Sequence, residues 1–241
     1  MDSVNSIPMT QLVKEYQQNV WQKVSVPRAF SSCRKDGALM GEPGVAKVIF
    51  VYELCKTPDL LHEFLRKAGL LKKDLTCAKC NSPMKLRSKD INDGAVWTCR
   101  NRINKKECVL QKSVRFGSWF SCSKLTMGEI FLLTYLIVKG YRTDKIIDEY
   151  SFSSCTMADW RQFINEIIVD YVEETSETIG GEGKIVEIDE SKFGKRKYNR
   201  GHRVEGEFLF RASCEEKGID TFNTFLELVR KIDWTNFTYA D

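Results

Sequence analysis

The apolar pattern changes character several times along the chain, and each change predicts a different element. Leu60, Leu61, Phe64 and Leu65 recur at helical spacing behind Thr57 and Pro58 and ahead of Gly69. This predicts a packing helix with a capping side chain, a first-turn proline and a closing glycine. Residues 84–99, MKLRSKDINDGAVWTC, read as a hairpin turning at Asn92, Asp93 and Gly94. From Ser123 the spacing is helical again. One helix over 126–138 buries Ile130, Leu133 and Ile137 and ends at Gly140; a short second one starts at Thr143 with Ile146 and Ile147. A third opens at Thr156, with Asp159 in a capping-box position, and carries Trp160, Phe163, Ile164, Ile167, Ile168 and Tyr171 along one face.

Gly180, Gly181 and Gly183 break this pattern and mark a domain boundary. Residues 184–191 read as a strand with Val186 and Ile188 on one face and Glu187 and Asp189 on the other. Residues 207–213 (EFLFRAS) read as the next strand, 221–232 as a helix with Phe222, Phe225, Leu226, Leu228 and Val229 apolar, and 236–241 as the start of another strand. Residues 1–44 have no clear periodicity and read as partly disordered, with Cys33 and, further on, Cys55 as ordinary thiols. The expected regions are 1–70 with one packing helix, 71–122, the helical 123–180, and 181–241.

A chain of 241 residues has room for one large domain or two small ones. Its N-terminus lacks the basic and then apolar order of a secretory signal, and its longest apolar stretch, 130–138, is too short to span a bilayer. A soluble, intracellular protein is therefore expected. In that setting an odd count of nine cysteines points to metal ligands and free thiols rather than a disulfide framework. The net charge of +4 conceals two opposed blocks. Residues 71–116 hold twelve Lys or Arg against four acids, whereas 159–190 hold ten acids against two bases. A basic module offered to nucleic acid is the expectation.

The basic block contains CAKC, then Cys99 and Cys108. Cys77 and Cys80 are spaced so that both sulfurs can reach one tetrahedral ion, and Cys99 with Cys108 would complete a four-thiolate Zn2+ site in a zinc ribbon; the other reading is buried, unligated cysteines. The eight residues between Cys99 and Cys108 are long for a second knuckle, which leaves Cys122 as a reserve ligand.

Further on, the three helices suggest a helix-turn-helix unit whose third helix presents Arg161, Gln162 and Asn165 to a major groove; an ordinary three-helix bundle fits these residues as well. Beyond Glu166 that helix turns acidic, so only its first two turns could approach phosphates.

The densest chemistry lies in KIVEIDESKFGKRKYNRGHRVEG, 184–206. Asp189 ends an apolar strand and is followed by Lys192, Lys195, Arg196, Lys197, Arg200 and Arg203 with no intervening acid after Glu190. Carboxylates that hold hard divalent ions beside cations that hold a polyanion are what phosphodiester chemistry needs, whereas an edge strand with a solvated charge run would look much the same. KFGKRK also fits a nuclear address, should the host be eukaryotic. Strand, strand, helix, strand is the opening order of a ribonuclease-H-like α/β domain, so the whole reads as a multidomain α+β protein.

CAKC, SVRFGSWF, SKLT, DWRQF and VEIDESKFGKRKYNRGHRVEG, spread over about 60–206, resemble the Merlin-type DDE transposases and their bacterial insertion-sequence relatives. The resemblance implies a zinc ribbon, a helix-turn-helix and a ribonuclease-H-like catalytic domain. It also implies binding to the terminal inverted repeats of a transposon, and cutting and strand transfer through two Mg2+ or Mn2+ ions held by three acidic or metal-ligating side chains. Asp189 matches the first acid. Asp241 ends the last predicted strand, where a second would stand, but a strand fewer separates the two than in the family, and no helix bearing the third follows. The expectation is a transposase-derived DNA-binding protein with a truncated catalytic domain and no strand transfer. The alternatives are the N-terminal part of an active cut-and-paste transposase and a non-catalytic interaction module; a homodimer is a further option.

Overall fold

The computed structural model describes residues 7–23, 42–103, 106–121, 123–175 and 205–235. Among these residues there are eight helices and two small antiparallel sheets. The chain divides into two compact units, 1–135 with 222–241, and 136–221.

The first unit begins with α1 (Met9–Lys23), α2 (Val48–Lys56) and α3 (Pro58–Lys67). Here the disordered reading of the N-terminal segment is corrected for 9–23, because Met9, Leu12, Val13, Tyr16 and Val20 are all buried. They recur at three- and four-residue steps, which makes one helical stripe. The α2 helix, absent from the sequence reading, buries Phe50, Val51 and Leu54. The predicted helix after Thr57 is present as α3, with Pro58 in its first turn and Gly69 at φ +74 behind it. Thr57 makes no side-chain capping bond, so proline and glycine alone bear out that part of the expectation.

The ribbon follows. β1 (Lys85–Ser88), β2 (Ala95–Thr98) and β5 (Gln111–Ser113) form an antiparallel sheet in the order β1-β2-β5, with Leu86 opposite Trp97 and Trp97 opposite Lys112. The turn predicted at Asn92, Asp93 and Gly94 is the one observed: the Gly94 amide bonds back to Ile91 O at 2.8 Å, and Gly94 takes φ +64. A separate two-stranded hairpin, β3 (Arg102–Ile103) with β4 (Lys106–Glu107), projects from the region between β2 and β5.

After the ribbon comes α4 (Met127–Val138). Its capping box is Thr126 with Glu129: the Thr126 amide donates to Glu129 Oε2 at 2.7 Å and the Glu129 amide to Thr126 Oγ1 at 3.2 Å. With α8 (Thr221–Lys231), α4 completes an aromatic core of edge-to-face pairs. Tyr16–Phe64, Phe64–Phe131 and Phe131–Phe222 have ring centroids 5.2, 5.7 and 5.3 Å apart; such pairs contribute about 0.5–1.5 kcal/mol beyond their buried area. Polar groups lock the turn ahead of α2 onto this core. Gln17 Oε1 accepts the Gly44 amide at 2.9 Å, and Asn223 Nδ2 donates to Gly44 O at 2.6 Å. Gly44 has φ +88 and a Cβ there would meet Thr10 Cγ2 at 2.7 Å, so any other residue would be strained and crowded.

The second unit holds α5 (Thr143–Tyr150), α6 (Ser154–Thr175) and α7 (Glu205–Glu216). The three predicted helices from 126 onward are thus all present, and the division of the chain falls inside α4. The third starts slightly earlier than predicted: Ser153 Oγ accepts the Thr156 amide at 3.1 Å, so Ser153 rather than Thr156 caps α6.

The clearest correction concerns 207–213, predicted as a strand and found within α7. A strand would place Phe208 and Phe210 on one face. Instead Glu207, Phe210 and Cys214 are buried at helical spacing, while Phe208 is 62% exposed. Phe210 packs edge-on against Tyr171 of α6 at 5.5 Å, and Gly206 lets the backbone close on Val169. The strand, strand, helix, strand order that suggested a ribonuclease-H-like domain is therefore not realised in the described residues. The other two strands of that order, 184–191 and 236–241, lie outside them.

Candidate metal centre and nucleic-acid interface

The ribbon begins with Cys77, Ala78, Lys79 and Cys80 folding into a tight turn. The Asn81 amide donates to Cys77 O at 2.9 Å and the Cys77 amide to Ser82 O at 2.9 Å, with Asn81 at φ +51. Asparagine tolerates this left-handed conformation better than most residues, which lets the chain double back directly behind the second sulfur. The Met84 amide then pairs with Leu75 O at 2.8 Å and starts the hairpin.

On the far side, the eight-residue gap between Cys99 and Cys108 has a simple structural solution. β3 and β4 pair with each other, Arg102 opposite Glu107, and the Cys108 amide donates to Asn101 O at 2.7 Å. Arg102–Ile103 and Lys106–Glu107 form the stem of a hairpin, and its base brings Cys108 back beside Cys99, much as a short knuckle would. The Cys99 amide donates to Leu110 O at 2.9 Å, which ties this base to the strand leading into β5.

The result is one cluster of four sulfurs. Cys77, Cys80, Cys99 and Cys108 each place Sγ within 4.8 Å of the others; Cys77 and Cys108 lie 3.7 Å apart, Cys80 and Cys99 3.4 Å. All four are free thiols, three buried and Cys80 half-buried. A tetrahedron with Zn–S bonds of about 2.3 Å has edges of about 3.8 Å, within this range. The donor set therefore fits structural Zn2+, as the sequence predicted, without Cys122, which lies outside the described residues. Residues 70–115 match the family model of the recombinase zinc beta ribbon domain.

That match covers about a fifth of the chain, and all four clustered cysteines fall inside it. Comparison with curated proteins gave no match, and neither did comparison with solved structures. Among the described residues no helix is long and apolar enough to cross a membrane.

Electrostatics inside the cluster favour a cation. The Ser82 amide, pointing at Cys80, holds that thiol down at about 6, with further help from the neighbouring Cys99 and Cys77. Cys99 moves the other way, to about 12: the Asn101 amide favours its thiolate, but burial and the three adjacent sulfurs outweigh it. Crowded sulfurs resist being charged together, and a divalent ion at their centre would remove that resistance.

Met84 and Trp97 are the buried apolar residues beside the cysteines, with Leu75, Leu86 and Leu110 packed against them. Arg115 ties the ribbon to the start of α4. It forms a double hydrogen bond with Asp93 in the hairpin turn and donates to Ser123 O and Leu125 O through Nη1. Sequence spacing gave no sign of this tie, because Asp93 and Arg115 are 22 residues apart.

The other predicted site residues fare differently. Asp189, Lys192, Lys195, Arg196, Lys197, Arg200, Arg203 and Asp241 lie outside the described residues. Arg161 is described, but its guanidinium is turned into the second unit rather than outward. It donates to Thr143 Oγ1 at 2.7 Å and Tyr141 O at 2.6 Å, and pairs with the buried Glu207 at 3.2 Å. Arg211 pairs with the same carboxylate at 3.3 Å, so Glu207 bridges two cations. Asn165 is half-buried; of the three side chains predicted to face a groove, Gln162 alone is exposed, and it bonds to Glu166 at 3.2 Å.

Proposed function

We propose that this chain is a DNA-binding protein of recombinase or transposase type whose zinc ribbon holds DNA and in which strand transfer has been lost. The observation that carries the binding part is the four-thiolate ribbon, matched to a recombinase domain and set in the basic block 71–116. Zn2+ would be structural here: with all four positions filled by protein sulfur, no position remains open for a reacting ligand. Affinity for DNA would then come from cations displacing counterions along the phosphates.

The resemblance to Merlin-type transposases supports terminal inverted repeats as the target and Asp189 as the one matching acid for Mg2+ or Mn2+, with the run from Lys192 to Arg203 as a second grip. It also supports a nuclear site of action in a eukaryotic host. The inactive reading draws support from α7, since a helix at 205–216 stands where the catalytic sheet would need its second strand.

Fluorescence anisotropy on duplex DNA, followed by nicking of supercoiled plasmid with Mg2+ or Mn2+, tests both halves. Binding that weakens steeply with salt is expected, as is the absence of any nicking that Asp189→Asn removes. Failure to bind at low salt overturns the binding half; nicking by the wild type and not by Asp189→Asn overturns the inactive half.

A further inference from the structure

The sheet of the ribbon has two unlike faces. Strand alternation turns Leu86 and Trp97 toward the cysteine core, and by the same alternation Lys85 and Arg87 of β1 point the other way. A groove of about 340 Å³ lies on that outer side, lined by Lys85, Arg87 and Arg100 with Ser82, Thr98 and Asn101, and among the described residues no carboxylate lines it. Its floor is fixed, because Asn101 Nδ2 donates to Ser82 Oγ at 2.7 Å and Thr98 Oγ1 to Lys85 O at 3.2 Å.

Several basic residues of the ribbon are already engaged. Arg115 is committed to Asp93, Lys72 donates to Thr235 and lies over the Phe116 ring, Lys112 lies over the same ring, and Lys89 donates to Gln111. Lys85, Arg87 and Arg100 are exposed and have no hydrogen bond or ion pair from their side chains among the described residues. Three unpaired cations around one groove repel each other, an arrangement that a polyanion relieves. Side chains two apart on a strand stand about 7 Å from each other, so Lys85 and Arg87 can meet different phosphates of a backbone that carries one charge per about 3.4 Å of axis on each strand.

We infer that this groove is the phosphate-gripping surface of the ribbon, with Lys85, Arg87 and Arg100 holding the backbone of one strand of duplex DNA. The inference rests on the DNA-binding reading above and deepens it by naming the surface. Contacts of this kind position the protein on the duplex without reading its sequence. The grip also depends on the metal centre, since Cys99 lies between the groove residues Thr98 and Arg100, and Ser82 Oγ donates to Cys80 O at 3.4 Å.

The test compares wild type with Lys85→Gln/Arg87→Gln/Arg100→Gln on a random-sequence duplex across a salt series, with zinc content measured on both. Three lost phosphate contacts lower the log–log salt slope by about 2.7. Between 50 and 200 mM salt, the wild-type affinity should therefore fall by about 40-fold more than that of the variant. Full zinc content in the variant is expected, because all three side chains are exposed. A wild-type protein that binds with a steep slope shared by the zinc-loaded variant overturns the groove and leaves the DNA-binding reading standing. A wild type that binds no DNA overturns both, and preference for single strands or RNA over duplex DNA overturns the assigned ligand. A variant that loses zinc overturns the view that these side chains only grip phosphate.

Discussion

Removing the metal should open the ribbon and leave the aromatic core of the first unit folded. The buried cluster of the ribbon consists of Cys77, Met84, Trp97, Cys99 and Cys108, so three of its five members belong to the four-sulfur set that would hold the ion and two do not. Burying Met84 and Trp97 contributes about 2–3 kcal/mol each, whereas a structural zinc site contributes about 10–16 kcal/mol at neutral pH. Loss of the ion therefore removes more than this packing can replace. Four amides report it directly: Asn81 bonded to Cys77 O, Met84 to Leu75 O, Cys99 to Leu110 O and Cys108 to Asn101 O. After treatment with a strong chelator, hydrogen exchange at these amides should speed up by about a hundredfold or more, equivalent to at least about 2.8 kcal/mol. Amides of Phe225 and Val229 in α8, whose side chains are fully buried in the helical core, should keep their protection. Re-addition of Zn2+ should restore the four. If elemental analysis shows the metal gone and Cys99 and Cys108 still exchange at their original rates, zinc is not what holds the ribbon.

Two further predictions concern charge. Asp93→Ala leaves the Arg115 guanidinium without its carboxylate in a site where the two side chains are only 13% and 10% exposed. The expected cost is about 3 kcal/mol, the low end for a broken buried pair because Ser123 O and Leu125 O remain as acceptors. Thermal unfolding checks it, and Arg115→Met in the Asp93→Ala background should recover part of the loss; no recovery would refute the stranded-charge explanation. His62 is buried, and burial first and then the nearby Arg66 push its pKa below the usual value near 6.5. The folded state therefore binds fewer protons there than the unfolded chain, and the contribution of His62 to stability is present above about pH 6.5 and lost as pH falls toward the depressed value. Denaturant titrations at pH 7 and pH 5.5 should show a smaller pH loss for His62→Gln than for wild type; equal losses would mean that His62 does not titrate in this range.

How much of this could be read in the sequence depended on how local the determining contact was. Cys77 and Cys80, the Asn92–Gly94 turn, Pro58 and Gly69 act within a few residues, and each was where the sequence put it. The amphipathic stripe of α8 was equally legible, because Phe222, Phe225, Leu226 and Val229 repeat at helical spacing. In α1 the same spacing was present but spread over fifteen residues rich in Gln and Lys, without a capping signal. EFLFRAS was ambiguous, because two phenylalanines two apart fit a strand and Glu207, Phe210 and Cys214 fit a helix; burial against α6 decided it.

Arg161 shows the limit of such reading most plainly. By sequence it was an outward arginine in the first turns of a recognition helix, but a guanidinium with five donors is satisfied wherever carboxylates and carbonyls converge. Here that place is set by Glu207, 46 residues further on, in a segment assigned to the wrong kind of element. Once 205–216 is a helix, Glu207 is buried beside α6, and an acid that is 9% exposed requires a cation. The misassigned strand and the misdirected arginine thus share one cause. The same logic separates two kinds of cation in the ribbon: Arg115 is held by Asp93, 22 residues away, while Lys85 and Arg87, on an edge strand whose other side is filled by the cysteine core, have no such partner among the described residues. Basic residues counted along the chain give the charge of a module, and only their partners in the fold say which of them remain open to a polyanion.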